Sequence, residues 1–348
     1  MATLTQVAVK TRKVIKYSIY LVIFLIIARF AWGIGKGIYR SVFPKPPPPP
    51  TLAFGKLPEI TFPENKDLPT LEYQVDTVEG GLPTLDSQGM VYFMPRFSAN
   101  LLSLEVAQER AAKLGFNAGS EAVSSSLYRF QKENTAASLE MNIITGIFSI
   151  SYDLGRDPSP LATIPPAPEV AASQVRSFLS SANLLPEDLE GPSTPEFLKV
   201  ESGNLVSVLS LSEANLIRVN LFRKNYNNLP AVTINPQRAN VWFLVSGDRS
   251  RGRQIIGGEF HYFPVDEEQW ATYPLKTSEQ ALAALKASEG YIASLGQNTD
   301  GKVTIRRIYL AYFDPPAQAQ FYQPVFVFVG DKGFVGYVPA ISPEYYGE

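Results

Sequence analysis

Residues 17–35, YSIYLVIFLIIARFAWGIG, form the longest apolar stretch of the 348-residue chain and divide it into two unequal parts. As an α-helix these residues would span about 28 Å, close to the hydrocarbon thickness of a bilayer. The one charge, Arg29, lies near the end of the stretch, where its side chain can snorkel to the interface. We therefore predict a transmembrane helix. The anchoring residues that we select along it are Tyr17, Leu21, Phe24, Ile27, Arg29 and Trp32.

Two other interpretations of this stretch compete. A cleaved signal peptide would use the apolar run 17–28, but the one small-x-small site is Gly33-Ile34-Gly35. A buried core helix is disfavoured because the stretch has no polar face. The flanking positive charges favour one orientation only slightly. The part of the chain before the apolar stretch is much shorter than the part after it, and this difference determines the orientation that we predict. We therefore predict an uncleaved signal-anchor, with a cytoplasmic tail at 1–16 and the larger part extracytoplasmic.

A proline-rich segment follows the apolar stretch. Residues 36–69 have no periodic pattern and are predicted to form a linker, which includes SVFPKPPPPP at 41–50. Five consecutive prolines hold polyproline II geometry and make a stiff spacer of roughly 15 Å. A ligand for SH3 or WW domains is the alternative, but those readers are cytosolic. The segment is therefore predicted to be a stalk on the outer face.

Composition and charge exclude several classes of protein. The chain is 45% hydrophobic and 18% charged, as expected of packed domains. Residues 1–45 hold eight Lys and Arg and no acid, which leaves 23 basic and 33 acidic residues downstream. So acidic a folded part is a poor binder of nucleic acid. The absence of cysteine excludes disulfides, thiolate metal sites and a cysteine nucleophile.

Beyond the stalk, one layout recurs three times, with a helix candidate followed by strand candidates. This predicts units at 70–156, 157–264 and 265–348. The first helix candidate reads SLEVAQERAAKLGF, with Ser103 as its N-cap and Gly115 placed to end it.

The second helix candidate, PEVAASQVRSFLSSANLL, begins at Pro168. The third begins TSEQ, where Thr277 and Gln280 match a capping box. Its apolar face is predicted to include Leu282, Leu285, Ile292 and Leu295, although Gly290 lowers the helix propensity.

Alternating or apolar runs between these helices predict strands. Because the helices are set apart from antiparallel hairpins, we expect an α+β fold in which each unit packs one helix on an antiparallel sheet. The strand candidates are 139–143, 148–152, 205–211, 216–222, 239–246, 254–263, 303–312, 323–329 and 333–338.

Few residues suggest chemistry. His261 is the single histidine and cannot build a multi-histidine metal site. Phosphate-binding glycine motifs are absent. The acids of VDEEQW at 265–270, like the pair Asp153 and Asp157, are more typical of solvated turns than of a cation site. We predict no catalytic residue, cofactor or metal.

The best candidate for contact with a partner is the stretch SGDRSRGR. It places Arg249, Arg251 and Arg253 in a loop between two predicted strands. A solvated hairpin tip is the simpler interpretation. The alternative is contact with an anionic headgroup, a cell-wall polymer or an acidic partner surface. Open sheet edges are further candidate surfaces for binding a partner. The aromatic C-terminal hairpin is a weaker candidate.

The last 90 residues contain several short motifs that occur together in a known protein family. They are Tyr273-Pro274 before the capped helix, SEQALAAL, the aromatic strand end at Tyr309 and Tyr312, Gln323-Pro324, and GYVPA at 336–340. Together they resemble the PepSY-like units of YycH/YycI-type regulatory proteins of bacterial envelopes. The resemblance implies tandem PepSY-like units in a single-pass membrane protein that modulates a sensor histidine kinase. It implies no catalytic residues.

These observations lead to one leading hypothesis, a non-enzymatic, membrane-anchored extracytoplasmic protein that binds and regulates an envelope protein such as a sensor kinase. An alternative is a PepSY-like inhibitor or chaperone of envelope proteases. A lesser alternative is a cell-wall-acting enzyme that uses acidic residues. The sequence leaves the oligomeric state open.

Overall fold

A computed structural model describes residues 4–42, 48–65, 68–191, 193–250 and 252–347. The chain divides into two units, Met1–Pro49 and Pro50–Glu348. The first contains helix α1 (Leu4–Val42). Within it, Ile15–Lys36 is long and apolar enough to cross a membrane, with a mean hydropathy of 2.0. Side chains 15–36 are exposed, so α1 is not a core helix, and the prediction of an N-terminal apolar helix is confirmed.

Residues at both ends of the predicted linker belong to the two units of the structure. Helix α1 extends to Val42, and 43–47, which include part of the proline run, lie outside the described residues. The second unit already begins at Pro50. Leu57 is fully buried in its core, and its N–H donates to the carbonyl oxygen of Tyr345 at 2.8 Å.

The second unit is a mixed α+β structure, as predicted. Its described residues form three α-helices, α2 (Ser103–Lys113), α3 (Pro168–Ser181) and α4 (Ser278–Lys286). The strands are β1 (Glu72–Val75), β2 (Gln88–Phe93), β3 (Ser120–Ala122), β4 (Leu127–Gln131), β5 (Ala137–Asn142), β6 (Phe148–Tyr152), β7 (Ser193–Glu201), β8 (Asn204–Ser207), β9 (Leu216–Leu221), β10 (Ala231–Val232), β11 (Val241–Val245), β12 (Ile255–Phe260), β13 (Asp266–Pro274), β14 (Tyr291–Ser294), β15 (Lys302–Phe313), β16 (Phe321–Tyr322), β17 (Pro324–Gly330) and β18 (Val335–Pro339).

The largest element is an antiparallel nine-stranded sheet in the order β3-β4-β5-β6-β12-β11-β9-β7-β8. Helices α2 and α3 both pack on one face, over a core that includes Phe130, Leu139 and Phe243. The opposite face carries a smaller apolar cluster around Leu198 and Leu216. Since β6 pairs with β12, this sheet crosses the boundary predicted between residues 156 and 157.

Two further sheets complete the unit. One has the order β1-β15-β17-β18-β14, with β10 also paired to β15, and α4 packs beside β18. The other sheet has three strands in the order β13-β2-β16. It contains strands from the first and the third predicted units. The described residues therefore form an α+β fold in which two helices share one sheet, and not three copies of one helix on its own sheet.

The ends of α2 and α4 agree with some of the predicted capping signals and differ from one. Thr277 and Gln280 form the predicted capping box, and Gly115, with φ of +91°, ends α2. The prediction of Ser103 as N-cap is wrong, because Ser103 lies inside the helix. The side-chain oxygen of Asn100 accepts from the N–H of Leu102 at 2.9 Å instead.

The second half of the third helix is a further correction. Helix α4 stops at Lys286, Ser288 adopts a positive φ of 62°, and Ile292 belongs to strand β14. Leu295 follows that strand. The tertiary pairing of β14 with β18 overrides the helical spacing of these two side chains.

Gly290→Ala distinguishes the bend that precedes β14 from a continuation of helix α4. In a helix the change would stabilise the protein by about 1 kcal/mol. Here a Cβ would lie 2.7 Å from the carbonyl oxygen of Tyr337, so we expect a loss of about 1–3 kcal/mol in urea unfolding. Gly81→Ala, which would meet no atom within 4 Å, is the control. A gain in stability for Gly290→Ala would contradict the end of α4 at Lys286 and the bend before β14.

A buried ion cluster ties the sheets together. The guanidinium of Arg223, which follows β9, lies 2.5 Å from the carboxylate of Asp188 and 2.8 Å from that of Asp314. It also donates to the carbonyl oxygen of Phe263 at 2.6 Å. All three charged side chains are buried, and Asp314 comes directly after β15 of the second sheet. The cluster therefore joins the nine-stranded sheet to its neighbour.

Aromatic rings enclose this cluster. The Arg223 guanidinium stacks 4.6 Å from the ring centre of Tyr262, and the hydroxyl of Tyr226 donates to Asp188 at 2.9 Å. Burial raises the pKa of Asp314, and Arg223 opposes that rise. Burial alone would lower the pKa of Arg223, but the two carboxylates raise it well above its ordinary value. Arg223 is therefore a permanent buried cation.

Arg223→Met should be strongly destabilising, because it leaves two buried carboxylates without their cation. We expect a loss of about 3–5 kcal/mol at pH 7 in urea unfolding. Because Arg223 opposes the rise in the pKa of Asp314, its removal should raise that pKa further, and a carboxyl group whose folded-state pKa is raised favours folding at low pH and loses that contribution as pH rises. The deficit should therefore be smaller at pH 5 than at pH 7.

Arg306→Met is the matched control. Arg306 also lies between two aspartates, Asp76 and Asp331, but all three side chains are largely exposed to solvent. Solvent screens that cluster, so its loss should cost much less than the loss of Arg223. Equal losses for the two variants would refute the structural role of the buried cluster.

Candidate functional site

The loop between β11 and β12 contains the arginines predicted to contact a partner. Arg249 is exposed, whereas Arg253 is half-buried and pairs with Asp157 at 2.9 Å. Arg251 lies outside the described residues. Of the two described arginines, Arg249 is the one that presents its charge to solvent, and Arg253 helps to hold the loop against the segment after β6.

Asp157 explains how this loop is held. Its carboxylate accepts from the hydroxyl of Tyr152 at 2.5 Å and from the N–H of Ser159 at 3.1 Å. These bonds, with that of Tyr152 first, lower the pKa of Asp157 to about 2, and Arg253 adds to the effect. Asp153 caps a turn, because its side chain accepts from the N–H groups of Gly155 and Arg156. Both aspartates thus have structural partners.

Two open clefts flank the loop. One, of about 560 Å³, lies beside α3 and includes Glu169, Ser177 and Gln254. The other, of about 640 Å³, includes Asn134 and Arg156. Lysine and glutamate side chains line both clefts, and the second cleft also has an arginine and an aspartate. Such open clefts of mixed charge suit contact with a protein surface better than enclosure of a small molecule.

Tyr152→Phe should raise the pKa of Asp157 from about 2 toward its ordinary value of 3.8, since it removes the largest cause of the shift. Arg253→Gln should raise it less, because its charge is the smaller contribution. Carboxyl NMR titration measures both. In the wild type the stabilising effect of Asp157 is lost as pH falls from 3.8 toward about 2. A larger effect of Arg253→Gln would contradict this order.

The other residues considered for catalysis or metal binding form contacts that support the fold. The Nδ1 atom of His261 lies 3.3 Å from the carbonyl oxygen of Pro316. Asp266 accepts from the backbone of Glu268 at a bulge in β13, and Glu267 pairs with Lys224 at 2.7 Å. Among the described residues no group of three or more His, Cys, Asp or Glu could hold a metal ion.

The aromatic residues predicted in the C-terminal hairpin contribute to the core. They are buried or nearly so, and are Tyr322, Phe326, Phe328, Phe334 and Tyr337. By contrast, the side chains selected as membrane anchors are all exposed on α1, namely Tyr17, Leu21, Phe24, Ile27, Arg29 and Trp32.

A groove of about 500 Å³ was not predicted. It lies between the extended segments 58–63 and 313–323 and includes Phe62, Phe313 and Phe321. Gln323 lies buried at its base, where its amide nitrogen donates to the carbonyl oxygen of Pro58 at 2.9 Å. The sequence has no signal for this groove, because its walls are about 250 residues apart and lack periodicity.

No protein-family model matches the chain. No curated protein matches it either. A crystal structure of an uncharacterized protein from Eubacterium rectale is similar, with a TM-score of 0.39 and 13% sequence identity. The similarity covers 76% of this chain and 86% of that one. At this level the likeness assigns neither a family nor a function.

Proposed function

We propose that the chain is a non-enzymatic, membrane-anchored protein whose folded unit binds another envelope protein on the outer face of a bacterial membrane. The observation that carries this proposal is the segment Ile15–Lys36, a 22-residue apolar helix with no buried residue. Exposed apolar surface costs about 25 cal/mol per Å² in water, so a bilayer is its natural surrounding.

The outward orientation of the folded unit is part of the proposal. The helix leaves a short basic tail on one side and the unit Pro50–Glu348 on the other. An acidic, cysteine-free unit whose stability comes from packing and buried ion pairs is compatible with the outside of the cell.

A binding role agrees with the surfaces of the folded unit. The exposed Arg249 and the open cleft lined by Gly252 and Gln254 of the same loop are surfaces of the kind that protein partners contact. The groove between 58–63 and 313–323 is the more apolar candidate surface. The motifs at the C-terminus, which resemble those of YycH/YycI-type proteins, support a sensor kinase as the partner to test first.

Proximity labelling tests anchoring, sidedness and partner binding together. We would fuse a labelling enzyme to the C-terminus of the full chain and, as a matched control, to residues 1–49, which keep α1 without the folded unit. Both fusions should sediment with membranes and label outer-face proteins. The full chain should label in addition at least one membrane protein that the control does not.

Each part of the proposal has its own refuting outcome. Release of the full chain into the soluble fraction would refute anchoring. Labelling of cytosolic proteins by the C-terminal fusion would refute the orientation. Identical sets of labelled proteins for the two fusions would refute a binding role of the folded unit.

A further inference from the structure

The nine-stranded sheet ends in a strand without protection against pairing. All four residues of β8, Asn204–Ser207, are exposed, and none is charged or a proline. Leu205 and Val206 are 43% and 42% exposed. An uncharged, apolar edge strand presents a row of unpaired backbone groups to any other strand that approaches it.

The other edge strands of the described residues each have a feature that discourages pairing. Strand β3, at the far end of the same sheet, carries Glu121, and β1 carries Glu72. Strands β13 and β14 have irregular registers, after Asp266 and Ile292. Strands β10 and β16 have two residues each. Charges, bulges and short length are the usual guards of sheet edges, so β8 differs from the rest.

The hairpin β7–β8 determines which backbone groups of β8 face outward. Ser202 and Gly203 have φ of +50° and +82°, as in a two-residue type I′ turn, and Glu201 pairs with Asn204. The even-numbered residues of β8 therefore bond to β7. The N–H of Val208 continues this pattern by donating to β7.

The odd-numbered residues Leu205 and Ser207 consequently point their N–H and C=O groups away from β7. No backbone bond from outside the β7–β8 pair reaches these groups in the part of the chain that the structure describes. Two donors and two acceptors are thus available along this edge.

We propose that β8 pairs antiparallel with β8 of a second copy of this chain. A two-fold axis perpendicular to the sheet keeps each face of the sheet on the same side in both copies. Odd residues must then pair with odd residues and even with even, because alternate side chains point to opposite faces. The register that pairs both outward-facing residues places Val206 opposite Val206 of the second copy and Leu205 opposite Ser207.

This register uses the outward groups completely. Leu205 and Ser207 of the two copies exchange four backbone hydrogen bonds, and Val206 forms the central non-hydrogen-bonded pair. The edge is neutral, so no like charges oppose each other. Leu205 pairs with Val200 across the hairpin, on the face of the apolar cluster around Leu198, and that cluster would continue into the second copy.

The proposed contact is small, so it forms only where two copies of the chain are held close together. A paired strand of this length buries less than the roughly 1,200 Å² of a standard stable interface. Two copies held in one bilayer meet at a raised effective concentration, which compensates for weak affinity. This step rests on the proposed membrane anchoring, and sedimentation of each variant with membranes tests that separately.

Disulfide cross-linking provides a direct test, because the chain has no cysteine of its own. In membranes that hold the full chain, Val206→Cys should form a covalent dimer on mild oxidation. The central non-hydrogen-bonded pair places its Cα atoms about 4.5 Å apart, within the range of disulfides. Leu205→Cys controls for register, and Val123→Cys, 46% exposed beside β3, controls for random collision.

The dimer yield of Val206→Cys should exceed that of both controls by about fivefold or more, as expected of a fixed register. Equal yields for the three variants, or no dimer from Val206→Cys, would overturn the proposal. A cross-link to a protein of another size would also overturn it, since a different partner would then occupy the edge.

A second measurement does not depend on a cysteine in the strand. Energy transfer between copies labelled at their C-termini in the same vesicles should fall with Val206→Lys, since opposed lysines repel. It should be unchanged with Val123→Lys at the opposite edge of the sheet. Unchanged transfer in Val206→Lys would overturn the proposal.

Discussion

The buried cation of Arg223 is the constraint on which the folded unit depends. A buried charge is costly unless its partners surround it, and here those partners come from distant parts of the chain. Asp188 and Asp314 lie 35 and 91 residues away. Once Arg223 is buried, the segment before β7, the end of β9 and the end of β15 must meet. The nine-stranded sheet and the smaller sheets are thereby held as parts of one unit.

Charge and apolar surface are distributed differently over the molecule. Several charged side chains of the folded unit form ion pairs with one another, as Arg253 does with Asp157. Arg249, in the same loop, is instead exposed to solvent. Apolar surface is left exposed on α1 and along β8. Such surfaces are normally covered, by lipid in the first case and by another strand in the second. This contrast supports the proposed membrane anchoring and the proposed pairing of β8.

Local signals predicted local structure well. The capping box at Thr277, the proline that opens α3 and Gly115 at the end of α2 each act within one helical turn, and the structure contains all three. Prediction failed where distant residues compete. Ile292 has helical spacing but pairs with β18, and of the two described arginines of the loop, Arg253 pairs with Asp157 while Arg249 is exposed. Spacing along the chain does not record what a side chain meets across a sheet.

The sequence by itself determined the apolar helix, the α+β class and most of the strands, because charge, length and alternation are properties of neighbouring residues. Only the tertiary structure decided that α2 and α3 share one sheet, that Arg223 is the buried cation, and that β8 is the unguarded edge. These features arise from contacts between residues tens to hundreds of positions apart. Such contacts are stabilised by burial, and burial exists only once the chain has folded.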